Sequence, residues 1–156
     1  PYDDIKKWSG AYGPEIFTRQ LIKVATGFEK GLQQLKRETR SLKMKPEHHK
    51  VLTLEMNVAE AIFLHFKSAA SQVQFTKRRD RLMGNPNKNE KEILRKELQT
   101  ILLSETEVAK QMYRLQARDS RMGFEASNQY FYTPSDLAEK VLNCRYLLDH
   151  WLPSFG

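Results

Sequence analysis

The chain is poor in residues that cross-link or interrupt a backbone. Its one cysteine, Cys144, excludes an internal disulfide and any zinc-finger ligand set. The apolar helical pattern around Cys144 marks it as a small core residue. Seven glycines and six prolines in 156 residues, with no stretch of biased composition, argue against extended disorder. No apolar run approaches the roughly 18 residues that a membrane span needs. The opening Pro1-Tyr2-Asp3-Asp4 has neither an initiator methionine nor a signal-peptide pattern, so the sequence reads as a piece of a larger protein.

The common catalytic templates are also missing. There is no Gly-x-x-x-x-Gly-Lys phosphate loop, no Gly-x-Gly-x-x-Gly turn and no Gly-x-Ser-x-Gly elbow. Glu-x-x-His pairs, which di-metal helical bundles require, do not occur. His48 and His49 are adjacent and diverge by about 100° on a helix, a poor metal pair. His65 falls on an apolar seam and reads as a core histidine. His150 beside Asp149 has no third group to orient it. No cofactor, metal ligand or catalytic residue is assigned.

What remains is a strong helical pattern. Pro14, Pro46 and Pro134 stand where first helical turns are expected, a position that tolerates a missing amide donor. A short first helix carries Tyr2, Ile5 and Trp8 and stops near Gly10 or Gly13. A second runs from Pro14 to about Leu42, with Phe17, Leu21, Val24, Phe28, Leu32 and Leu35 in steps of four and three. Gly27 and Gly31 within it predict close approach of a neighbouring segment. A third spans Pro46 to Met83 with its seam through Val51, Leu54, Val58, Ala61, His65 and Val73. The turn Gly84-Asn85-Pro86-Asn87 ends it. Asn89 with Glu92 supplies a cap for a fourth helix through Leu94, Leu98, Ile101, Val108, Met112 and Leu115, in which Glu105 is the one polar break. A fifth starts at Thr133-Pro134-Ser135-Asp136 and shows Leu137, Val141, Cys144 and Leu148 on one face. Short connections between long helices predict an all-α antiparallel bundle of about four long helices plus a short N-terminal one.

The net charge of +7 raises the question of an anionic partner. Lys36, Arg37, Arg40 and Lys43 close the second helix, and Lys77, Arg78, Arg79 and Arg81 close the third. Cations at carboxyl ends complement the helix dipole, and the two clusters lie a helix length of roughly 55 Å apart. They cannot form one continuous phosphate-tracking stripe, so nucleic acid is not expected as a partner; with no apolar run long enough to span it, neither is a membrane.

The segment 118–132 stands apart. It is longer than the usual 2–8 residue connection in bundles, and it gathers aromatic, arginine, carboxylate and amide groups. Apolar walls with a few placed polar groups are how ligand pockets are made. Arg118, Asp119, Arg121, Glu125 and Asn128 are the candidate polar contacts, and Tyr130 and Tyr132 the stacking surfaces. An internal clasp, with Arg118 paired to Asp119 or Glu125, is the alternative.

The run from Arg118-Asp119-Ser120-Arg121-Met122-Gly123-Phe124-Glu125 through Tyr130-Phe131-Tyr132 to Asn143-Cys144-Arg145 resembles the C-terminal end of large bacterial glycoside-hydrolase-like proteins. Trp8 with Tyr12-Gly13-Pro14-Glu15 resembles the opening of the same helical region. The resemblance implies a single domain over residues 1–156 at the C-terminal end of an exported parent, periplasmic, cell-surface or secreted. It places the catalytic carboxyls in a preceding barrel. Gln129 stands where such sequences more often carry His, which leaves the loop without a proton-transfer group. Asp119 and Glu125 are not read as a catalytic pair, which would need a separation of about 5–10 Å across the bond. The implied function is a non-catalytic domain that buttresses its catalytic neighbour and places the loop near the sugar. The partners are then the preceding domain of the same chain and carbohydrate. The alternative is a helical interaction module that forms a homodimer and has no carbohydrate role.

Overall fold

The computed structural model describes residues 4–119, 122, 124–125, 130–131 and 133–156, the two strand pairs by backbone alone. It is an all-α bundle. Helix α1 (Ile5–Ser9) is capped by the Asp4 carboxylate, which accepts the Lys7 N–H, and a 3-10 turn (Gly10–Tyr12) follows. Gly10 and Gly13 take positive φ on either side of that turn, and only glycine does so without strain. Helix α2 (Gly13–Thr39) then runs antiparallel to α3 (Pro46–Met83), and α4 (Lys88–Arg118) returns along α3. Helix α5 (Pro134–Tyr146) lies against α4.

The punctuation follows local chemistry. Asn85 adopts φ +57° in the turn after α3, a conformation that asparagine tolerates. The N-cap of α4 is Asn87, whose side chain accepts the Glu90 N–H at 3.0 Å; Asn89, the expected cap, is already the second residue of the helix. Thr133 and Asp136 form a full capping box at α5. Beyond α5 the chain widens into a π turn (Leu147–Trp151), with the Leu152 N–H reaching the Leu147 carbonyl. Pro153 has no N–H to continue the ladder, and a 3-10 turn (Leu152–Phe155) ends the element. The wider turn lets Trp151 and Leu152 both reach the core.

Two apolar clusters hold the bundle. One joins Leu64, Phe63 and Ala61 of α3 to Val108, Met112 and Leu115 of α4 and Leu137 of α5, with Met122 packed on it. The other joins Leu82, Leu94, Leu98 and Leu152, with Phe75, Trp151 and Phe155 around them. Between them the core turns polar, with Ser68, Ser71, Thr76 and Glu105 all buried.

Four expectations need correction. His65 is exposed, its ring edge-on to Phe66, because the buried line of α3 runs through Leu64, Ser68 and Ser71 instead. Val51 and Val58 on the expected seam are exposed as well. Gly27 and Gly31 face open space, so no neighbouring segment approaches them. Finally, α2 ends at Thr39 rather than near Leu42. Tyr2, expected on the first helix, lies outside the described residues.

Candidate functional sites

The 118–132 segment joins α4 to α5 beside the first apolar cluster. Arg118 is exposed at the last turn of α4. Asp119 is half-buried; its N–H donates to the Leu115 carbonyl at 3.1 Å, and its own carbonyl accepts the Met122 N–H at 3.0 Å. Met122 packs against the core and so pins the start of the segment to the bundle. Phe124–Glu125 (β1) pairs antiparallel with Tyr130–Phe131 (β2), placing Glu125 opposite Tyr130. Two residues per strand are too few to show an alternating pattern, and this pairing was not anticipated. Two of the expected contact residues, Glu125 and Tyr130, are thus brought together by backbone pairing. Arg121, Asn128 and Tyr132 lie outside the described residues.

A second constellation, which sequence reasoning passed over, joins α3, α4 and α5. Glu105 of α4 is buried, 5% exposed, and its Oε1 pairs with Lys140 Nζ from α5. Ser68 of α3 donates to the same oxygen at 2.5 Å. Lys140 Nζ also donates to Ser68 Oγ at 2.8 Å, and Gln72 Nε2 reaches that hydroxyl at 3.4 Å. The triangle therefore ties three helices through one carboxylate oxygen. Glu105 Oε2 has no hydrogen-bond partner.

Ser68 and Lys140 have the spacing of a nucleophile and its base, but the hydrogen bonds oppose that role. Lys140 Nζ donates to the Ser68 hydroxyl, whose own proton goes to Glu105, so the amine takes no proton from it. Ser68 is itself buried. Cys144, one turn along α5, has its thiol pushed up by burial and then by the negative charge of Glu105. A raised thiol is mostly protonated at neutral pH and is a poor nucleophile. His65 is held below the ordinary imidazole range by desolvation and then by the charge of Lys140. Its surface is open to solvent, yet surrounding protein atoms crowd the ring enough to penalise the cation. A cleft of about 260 Å³ beside the triangle is lined by Phe75, Thr76, Ile101, Asn143 and Leu147.

On the other side of α3, a groove of about 280 Å³ runs between α2 and α4. Phe63, Ala70 and Ile101 contribute apolar lining, and most of the rest is polar, Glu29, Lys67 and Gln74 included. Ile22 of α2 is 41% exposed at this groove. A slot of mixed polarity flanked by two helices has the shape that accepts another helix or a domain edge.

Among the described residues, no group of three His, Cys, Asp or Glu side chains could hold a metal ion. No described helix is long and apolar enough to cross a membrane. The cations closing α3 are all engaged: Lys77 with Glu15, Arg78 with Glu97 at 2.7 Å, Arg79 with Asp80 at 2.9 Å and Arg81 with Glu90. No family model, no curated protein and no solved structure matches the chain.

Proposed function

We propose that this chain is a non-catalytic helical domain that buttresses a neighbouring domain through the groove between α2 and α4. The observation that carries the reading is that groove itself, floored by Phe63 and Ile101 and left unfilled. Lys67 Nζ lies over the Phe63 ring, 5.5 Å from its centre, but Ile22 at the rim is 41% exposed, and covering the groove would remove that apolar surface from water. The closed Ser68–Glu105–Lys140 triangle supports the non-catalytic part, since it spends its polar groups on holding helices together.

The resemblance of the 118–132 segment supplies the neighbour: the catalytic domain of an exported, glycoside-hydrolase-like parent, with the loop turned toward the sugar. Arg118, Asp119, Arg121, Glu125 and Asn128 would contact hydroxyl groups, and Tyr130 and Tyr132 would stack on sugar faces. Arg121→Ala in the parent is the test of this part. A raised KM with unchanged thermal stability supports it, and unchanged activity and stability together count against it.

A second reading is favoured by one face of α2. Val24 is exposed there beside the open Gly27 and Gly31, next to Phe28, which is 39% exposed while its ring stacks on Phe66 of α3. A homodimer through that face needs no carbohydrate and no neighbouring domain. Mass measured by light scattering over a hundredfold range of concentration separates the two, because only the dimer changes mass.

A further inference from the structure

The two basic clusters at the ends of α3 differ in kind. Those of the Lys77–Arg81 end are neutralised by acids within the fold, as described above. At the opposite end, residues 36–50 carry six Lys or Arg against two Glu. Only Lys36 is paired, with Glu60 at 3.1 Å. Arg37, Arg40, Lys43, Lys45 and Lys50 make no ion pair among the described residues, and all five are exposed.

Helix dipoles account for only part of this charge. Arg37 and Arg40 sit at the carboxyl end of α2, where cations are favoured. Lys45 and Lys50 sit at or beside the first turn of α3, the positive end, where Glu47 alone has the favourable sign. The helix dipole therefore gives no account of these two cations.

The tip also carries apolar groups. Leu42 and Val51 are 57% and 58% exposed. Beneath them Leu42, Met44, Leu52 and Met56 line a hollow of about 440 Å³ whose polar rim includes Lys36, Arg40 and His49. No aromatic residue occurs between Phe28 and Phe63, so the tip offers nothing on which nucleic-acid bases could stack.

We propose that the α2–α3 hairpin tip docks on an anionic lipid surface. Arg37, Arg40, Lys43, Lys45 and Lys50 would engage the headgroups, and Leu42 and Val51 would enter the interface. Clusters of four to eight basic residues are typical of peripheral attachment to acidic lipids, and exposed aliphatic residues among them suit the headgroup–acyl boundary. Such attachment lies on the membrane and is compatible with a chain that has no spanning helix. It is independent of the groove reading above.

The test is sedimentation of the chain with phosphatidylcholine vesicles, with and without about 30% phosphatidylserine. Binding should require phosphatidylserine. It should fall at least tenfold in Lys43→Glu/Lys45→Glu and at least threefold in Leu42→Ser/Val51→Ser, which leaves the charge unchanged. All four positions are exposed, and helical circular dichroism identical to the parent's confirms that each variant folds. Equal or absent binding to the two vesicle types overturns the proposal. So does binding that ignores Leu42 and Val51 and is matched on duplex DNA, which would assign the tip to polyanions in general.

Discussion

Replacing Lys140 with methionine should be among the most damaging single changes in the described core. The substitution keeps most of the side-chain length and apolar stem but removes the charge beside Glu105. Glu105 is 5% exposed and would keep only the Ser68 hydroxyl on Oε1, with Oε2 still without a partner. Breaking a buried ion pair by removing one member typically costs about 3–5 kcal/mol, because the remaining charge is left unpaired. The Lys140 side chain is 24% exposed, so solvent screens part of the loss and the lower end, roughly 3 kcal/mol, is expected. For a chain of this size that corresponds to a fall of roughly 6–12 °C in Tm. Urea unfolding followed by circular dichroism measures it directly, as a lower midpoint at unchanged slope. The double variant Glu105→Leu/Lys140→Met removes both charges and should return to within about 1 kcal/mol of the parent, since well-packed apolar replacements of buried ion pairs are often neutral or better. A Lys140→Met variant that loses less than about 1 kcal/mol would refute the reasoning. So would a double variant no more stable than the single one. Either result would mean that water already solvates Glu105.

Three further outcomes follow from the same structure. Gly27→Ala and Gly31→Ala should each stabilise α2 by roughly 0.5–1 kcal/mol, because an added Cβ meets nothing within 4 Å; a loss of stability in thermal melts would show that the face is covered in solution. Asp136 is held below the ordinary carboxylate range by hydrogen bonds from the Thr133 hydroxyl and then from its backbone N–H. A depressed carboxylate contributes stability above its unfolded pKa and loses it as pH falls through the folded one. The first turn of α5 should therefore loosen only below about pH 4, and amide exchange at Asp136 and Leu137 that does not respond to pH there would contradict the cap. Cys144 should resist iodoacetamide at pH 8 and react promptly only in denaturant; rapid modification of the folded chain would contradict its burial.

The helices were legible where the sequence carries its own punctuation. Pro46 and the Gly84-Asn85-Pro86 turn bracket α3, and Thr133 with Asp136 opens α5, so local chemistry alone placed those ends. Asn87 and Asn89 each precede a glutamate by three residues, and the earlier one caps α4 because it immediately follows the turn. The seam of α3 was harder. This helix packs on α2 along one side and on α4 along another, so its buried positions spread over two faces. A single heptad line through His65 could not represent both, and His65 falls outside them. Gly27 and Gly31 misled for a different reason: two small residues four apart signal close approach only if something is there to approach.

The site was less legible still. Glu105 was visible as a polar break in α4, but Ser68 is 37 residues from it and Lys140 comes from a third helix. Long-range pairing of this kind leaves no local pattern. The one available signal was a carboxylate and a lysine, each on the apolar face of its own amphipathic helix. The difference between the two basic clusters was equally hidden, because pairing with Glu15, Glu90 and Glu97 exists only once α2 and α4 lie beside α3.

The central claim is that the groove between α2 and α4 is covered by a neighbouring domain. Hydroxyl-radical footprinting of Ile22 and Ile101, in this chain alone and in the intact protein that carries it, tests that claim most directly. The account predicts that Ile22, exposed here, and Ile101, half-buried here, are both modified at least fivefold more slowly in the intact protein while exposed Tyr12 on the 3-10 turn reacts equally in both. Equal modification of Ile22 and Ile101 in the two samples would contradict it.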